Sequence, residues 1–299
     1  MTYSYAIEKI KLKKDGYLII KKFINANKVL YLRKALKDSR NEECLANKKL
    51  NYFPVNKKIV KVMNKLLEGK IYYPFLSTAV NNIYQSQDKK PFMHTDARFE
   101  DFDYNKNYNI YNTGIYLQDH ENYSGGLKVR PGSHKKIAIE GNAYYKKILF
   151  ILKELIKKLV GKNPNLGFLQ ILRTLLPYKS INLKINAGDL VIWNMRLHHS
   201  GHNIRVIGLK NLSFSTYLEK IISKFNFMIL KNKLERFAIF TVYIGRGFYK
   251  NQYINEQKKR PQLIKFWKNS NINFNTLKKK LAGENIELVK PIKDIIANS

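Results

Sequence analysis

Cysteine is nearly absent from this chain. Cys44 is the only one, which excludes an intramolecular disulfide and fits a reducing, cytoplasmic setting. No run of about 18 uninterrupted apolar residues occurs, and this argues against a membrane-spanning helix. The first residues, MTYSYAIEKIKLKKDG, contain no apolar stretch of the kind that marks a secretory signal. No internal repeat is visible. Acidic residues are scarce: Asp and Glu number 22 against 55 Lys and Arg, leaving a formal charge of +33 over 299 residues. That imbalance has two readings. One is a polyanionic partner, either nucleic acid or the anionic inner face of a membrane met peripherally. The other is compositional drift, because Lys, Asn, Ile, Tyr and Phe are all abundant and the lysines are spread along the chain.

What is present suffices for a globular protein. The sequence is 44% hydrophobic and 13% aromatic, enough to bury a sizeable core and too apolar for disorder. DGYLIIKKFINANKVLYLRKALKDS predicts a short strand at Tyr17 to Ile20, a turn, and a helix with Val29, Leu30, Leu32 and Leu36 on its apolar stripe. Residues 56–68 predict a second helix. PFLSTAVNNIYQ, PFMHTDARF and NTGIYLQ read as short strands separated by turn-forming clusters. SGGLKVRPGSHKK is a Gly-Gly turn, a strand and a Pro-Gly loop, with Ser133 and His134 in a structural role. A lysine-faced amphipathic helix is expected at 144–160, within an insertion at about 142–162. Strand character returns at SINLKINAGDLVIWNMRLHHSGHN, NLSFSTYL and RFAIFTVYIG, and the lysine-rich tail from Asn251 reads as helical. Many short strands with helices at front, middle and back imply a mainly β sandwich or barrel with helical trim. The expected organisation is a barrel domain over residues 1–250 with a helical extension, 251–299, packed on it.

Chemistry enters at PFMHTDARFE. On a strand, His94 and Asp96 point to one face. A third ligand must come from elsewhere, and GDLVIWNMRLHHSGHN offers His198, His199 and His202. If that segment is one strand, Val191, Trp193, Met195, Leu197 and His199 share an apolar, inward face, which nominates His199. Two histidines and a carboxylate on one face of an octahedron form the facial triad of non-haem iron(II) oxygenases.

The ordered set DGYLIIKKF…LRKAL, MHTDARF, LQDHENYSGGLKVRPGSHK and GDLVIWNMRLHHSGHN resembles the phytanoyl-CoA dioxygenase family of Fe(II)/2-oxoglutarate-dependent oxygenases, from about Gly16 to His202. The resemblance implies a double-stranded β-helix, a jelly-roll or cupin-like barrel. It implies His94, Asp96 and a distal histidine as metal ligands, with iron(II), 2-oxoglutarate and O2 as the reactants beside the substrate. Spacing of eleven residues from Gly188 selects His199, whereas the family's H-G-S-G-x-N pattern fits His198 better. For the far carboxylate of 2-oxoglutarate the family uses a cation on the strand after the distal histidine. Arg236, which opens RFAIFTVYIG, Lys210, eleven residues after His199, and Arg205 are the candidates.

The implied reaction converts 2-oxoglutarate to succinate and CO2 while a substrate C–H is hydroxylated. Asp96 favours hydroxylation, since halogenating relatives lack this carboxylate. The expected substrate is a small molecule or glycolipid, with an anionic one favoured by the charge. The alternative is a non-enzymatic barrel that binds nucleic acid or anionic membrane through its basic surface. Against nucleic acid stands the lack of any basic motif interleaved with aromatics.

Overall fold

The computed structural model describes residues 5–37, 44, 47, 49–50, 53–74, 76–83, 94–97, 106–119, 126–135, 181–201, 235–268, 274–281, 283–289 and 294. The expected helix at 144–160, the strand NLSFSTYL, and His202, Arg205 and Lys210 lie outside them. The first elements are α1 (Tyr5–Asp15), β1 (Tyr17–Ile20), α2 (Ala26–Lys37) and α3 (Lys57–Leu66). Strands β2 (Ile71–Tyr73), β3 (Ser77–Ile83), β4 (Ile110–Tyr116) and β5 (Leu127–Val129) follow. Then come β6 (Ile181–Asn182), β7 (Leu190–Asn194), β8 (His199–Gly201) and β9 (Glu235–Ile244). Helices α4 (Lys250–Lys258), α5 (Pro261–Lys268) and α6 (Phe274–Leu281) precede a last strand, β10 (Ile286–Leu288).

Two sheets face each other. The larger has the order β1-β7-β4-β9-β2-β10, with β3 also paired to β9; the smaller has the order β6-β5-β8. Alternation along the strands divides the interior into two cores. Tyr17, Tyr116, Val191, Trp193 and Ala238 of the large sheet meet Leu127 and Val129 of the small sheet between the layers. Leu18, Ile115, Ile192, Phe237 and Ile239 point the other way, onto Leu32, Leu36, Ile59 and Met63 of the helices. Two facing sheets, with the described helices packed on the outer face of the larger, are the jelly-roll arrangement expected from the strand pattern. Tyr253, Ile254, Trp267 and Leu277 of α4, α5 and α6 join the helix-side core.

Local chemistry explains the joints. Asn56 caps α3 by accepting from the Lys58 amide, an interaction of about 1 kcal/mol. Gly188 adopts φ +89, and a Cβ there would lie 2.5 Å from the Ile24 carbonyl, so this position requires glycine. The adjacent buried Asp189 accepts from the amides of Lys22 and Asn186 and from the Lys21 ammonium. The Gly-Asp pair therefore ties β1 to the entrance of β7.

Three expectations need correction. GDLVIWNMRLHHSGHN is two strands rather than one: β7 ends at Asn194, whose side chain accepts from the Arg196 amide while its carbonyl accepts from Leu197. Of PFMHTDARF the described residues are 94–97, and these are not a continuous strand: His94 forms a β-bridge with His199 and the chain bends at Asp96, with the Ala97 amide donating to Met195. Leu30, assigned above to the apolar stripe of α2, is exposed.

The Pro-Gly loop is structural, as expected. Gly132 donates to the Asp15 carbonyl, and the His134 ring nitrogen Nε2 donates to that of Lys13. Gly16, at φ +81, lets His134 pack so close that a Cβ would meet its Nδ1 at 2.4 Å. Burial pushes the His134 imidazole down to about 4, outweighing the hydrogen bond to Lys13 that opposes it. Between pH about 4 and the ordinary histidine value near 6.5 the unfolded chain binds a proton that the folded chain refuses. Stability should therefore rise with pH through that window, by at most about 3 kcal/mol, and stay level above it. Urea unfolding from pH 4 to 7.5 checks this: His134→Gln should flatten the rise, and an unchanged slope would refute the assignment.

Candidate metal centre

Two backbone hydrogen bonds bring the ligand segments together. The His94 amide donates to the His199 carbonyl at 2.8 Å, and the His199 amide donates back at 2.9 Å. β8 is positioned in turn by β5, where Val129 pairs with His199 and Lys128 with Ser200. Val129 faces the space between the sheets, so His199 faces it too. His198 has the opposite parity; its amide donates to Ser133 Oγ and its carbonyl accepts from Arg130, so the Pro-Gly loop holds it.

His94, Asp96 and His199 each offer a ligand atom within 4.8 Å of the other two, and no other such cluster occurs among the described residues. Asp96 sits between the imidazoles: Oδ1 is 3.7 Å from His94 Nε2 and Oδ2 is 3.4 Å from His199 Nε2. The rings are 4.6 Å apart, centre to centre. Ligand atoms about 2.1 Å from one ion in adjacent octahedral positions lie about 3 Å apart. The two Asp96 separations need to close by less than about an ångström and the widest ligand-atom separation by no more than about 2 Å, a side-chain adjustment, so the donor set fits a divalent transition metal.

Each ligand is presented in usable form. His199 Nδ1 donates to the Leu197 carbonyl at 2.9 Å, which leaves Nε2 unprotonated and aimed at the carboxylate. Burial lowers the affinity of this imidazole for a second proton, as does His94, against the opposing pull of Asp96 and the Leu197 carbonyl. Asn112 Nδ2 donates to Asp96 Oδ2 at 3.3 Å and orients the carboxylate. Trp193 stands behind His199, with ring centres 5.7 Å apart, and Phe240 and Tyr116 extend this aromatic wall edge to face. Side-chain exposure grades from 7% at His199 through 26% at Asp96 to 48% at His94, so the site opens on the His94 side.

The structure thus brings together His94, Asp96 and His199 and leaves His198 outside the group. Arg236 is the second residue of β9, opposite Asn82 in register. Asn112 was not singled out from sequence, and Trp193 was placed only as an apolar neighbour on the inward face, where it lies. The signal for Asn112 was present: in IYNTGIY it is a polar residue at the inward parity of Tyr116.

Alanine at Asp96 or His199 should weaken cobalt(II) binding about 100-fold or more, whereas His198→Ala should stay within about threefold of the parent. Isothermal titration distinguishes these outcomes, and a reversed pattern would move the site to His198.

The profile of the phytanoyl-CoA dioxygenase (PhyH) family matches residues 12–206. No curated protein sequence matches the chain. Among solved structures, HygX from Streptomyces hygroscopicus, with nickel and 2-oxoglutarate bound, is similar at 11% identity with a TM-score of 0.50, covering 80% of this chain and 86% of that one. SnoK, a non-haem α-ketoglutarate-dependent carbocyclase from nogalamycin biosynthesis, is similar at 13% identity with a TM-score of 0.50, covering 85% and 91%. At such identities these two likenesses speak for the fold. The family match spans both the bent His94–Asp96 segment and the strand that carries His199, and the chain belongs to the phytanoyl-CoA dioxygenase family.

Proposed function

We propose that the chain is a non-haem iron(II)- and 2-oxoglutarate-dependent dioxygenase that hydroxylates a C–H bond of a small molecule, with release of succinate and CO2. The observation that carries this reading is the His94–Asp96–His199 cluster in a chain of this family. Iron(II) held by these residues supplies the activation of O2, coupled to oxidative decarboxylation of the keto acid.

The chain's own residues have definable tasks. Burial keeps His199 a neutral donor, and the hydrogen bond from Nδ1 to the Leu197 carbonyl fixes its tautomer and orientation. Asp96 supplies the single negative charge, steadied by Asn112. Trp193 and the apolar space between the sheets exclude water from the rear of the site, where stray water would divert oxidising equivalents. The graded exposure of the three ligands supports substrate approach from the His94 side.

Arg236 is our first candidate for the anchor of the 2-oxoglutarate far carboxylate. It lies on β9, which follows β8 in the order of described strands, two and four positions from Ala238 and Phe240 of the inter-sheet core. A guanidinium fork binds a carboxylate through two parallel hydrogen bonds. Lys210 is the second candidate on its spacing from His199, and Arg205 the third. The net charge of +33 supports an anionic substrate: a carboxylate, a phosphate, or an acidic sugar on a lipid carrier.

Purified protein supplied with iron(II), ascorbate and 2-oxoglutarate should form succinate slowly without any added substrate. His94→Ala and Asp96→Ala should abolish that turnover; if both retain it, the oxygenase assignment is wrong. Arg236→Met should raise the KM for 2-oxoglutarate more than Lys210→Met does, and the opposite order would transfer the anchor to Lys210.

A further inference from the structure

The helical face of the protein has a composition that the oxygenase chemistry does not require. In α1, Ile7 and Ile10 are 68% and 65% exposed, and they share one helix face with the exposed Lys11 and Lys14. In α2, Leu30 and Tyr31 are 65% and 49% exposed, on the face that also carries Asn27 and Lys34. Between these helices α3 exposes Lys57, Lys58, Lys61 and Lys65, of which Lys57 also pairs with Glu284 at 3.2 Å and Lys58 also donates to the Phe23 carbonyl, while Ile59, Val60, Val62, Met63 and Leu66 are buried.

The three helices are contiguous. Lys65 of α3 lies over the Tyr5 ring of α1, and Lys9 of α1 pairs with Glu68 just past α3. Toward its N-terminal end α3 shares a cleft of about 530 Å³ with α2, lined by Phe23, Phe53 and Ile59 together with Lys28 and Lys58. All three bury their opposite faces in the one helix-side core, so the exposed faces look away from the barrel. Neither α2 nor α3 contains an acidic residue, and the two in α1, Glu8 and Asp15, are partly buried.

We propose that the exposed face of α1, α3 and α2 docks on an anionic lipid bilayer. A central band of lysines flanked by aliphatic side chains and a tyrosine matches both layers of such a surface. The ammonium groups meet headgroup phosphates, and Ile7, Ile10 and Leu30 enter the acyl boundary. Tyrosine belongs at that depth, with its ring in the apolar zone and its hydroxyl among the headgroups. Charge alone would suit nucleic acid as well. Protruding isoleucine and leucine have no complement on a phosphate backbone, however, and Arg33, the arginine of α2, is stacked on Phe237. The apolar exposure therefore selects the lipid surface. This docking does not depend on the metal site and is tested apart from it.

The test is co-sedimentation of the full-length protein with vesicles of phosphatidylcholine and phosphatidylglycerol at 7:3, beside vesicles of phosphatidylcholine alone. The protein should partition onto the anionic vesicles and be released by salt. Lys57→Glu with Lys61→Glu, and separately Ile7→Ser, Ile10→Ser and Leu30→Ser together, should each reduce partitioning about tenfold or more. A control pair with the same charge change on α5, Lys265→Glu with Lys268→Glu, should stay within about twofold. Far-UV circular dichroism and cobalt(II) binding confirm that the variants are folded. Absence of binding to the anionic vesicles, an equal loss in the control pair, or indifference to the apolar substitutions would each overturn the proposal. So would tighter binding to a DNA duplex that depends on Lys57 and Lys61, which would give the face to nucleic acid.

Discussion

One reciprocal pair of backbone hydrogen bonds, between His94 and His199, sets the distance on which the metal site depends. Backbone bonds of this kind tolerate little displacement, so two ligands distant in sequence acquire a fixed separation before any ion arrives. Asp96 then needs only the bend after His94 and the Asn112 amide to reach between the imidazoles. The remainder of the barrel can be understood as support for this pair. β5 holds β8 in register, the Pro-Gly loop holds His198 and Arg130 beside it, and the Gly188–Asp189 turn locks β7 to β1.

Much of this arrangement was legible in the chain, because strands that separate two cores carry a strong alternating pattern. β4, β7 and β9 place inter-sheet and helix-facing residues in strict alternation near their centres, and their segments announce themselves. The break after Asn194 was hidden for a physical reason. Met195 and Leu197 are both buried, in different cores, so the apolar alternation runs on through a turn that is made by the Asn194 side chain. His199 was reached by assuming a continuous strand, whereas its inward direction comes from pairing with Val129. β10 escaped notice because three residues paired in parallel with β2 carry too little pattern. Leu30 misled in the other direction: a leucine in an amphipathic helix reads as core until its neighbours are known.

The two faces of the molecule divide its physical tasks. Between the sheets, aromatic and aliphatic side chains make a dry wall behind a partly open cluster of nitrogen and carboxylate donors. On the helical face, lysines and protruding apolar residues form a surface with no evident role in positioning the cluster. A small part of the positive charge, the exposed lysines of α1, α2 and α3, lies on the same helices as the exposed Ile7, Ile10 and Leu30. Among the described residues no helix is long and apolar enough to cross a membrane.

The central claim is that His94, Asp96 and His199 together hold iron(II) in a form that chelates 2-oxoglutarate. An anaerobic titration of iron(II) and then 2-oxoglutarate, followed through the visible charge-transfer absorption of the ternary complex, tests it most directly. The band should appear at one equivalent in the parent protein and in His198→Ala, and be absent in His199→Ala. A band that survives in His199→Ala and vanishes in His198→Ala would contradict the account.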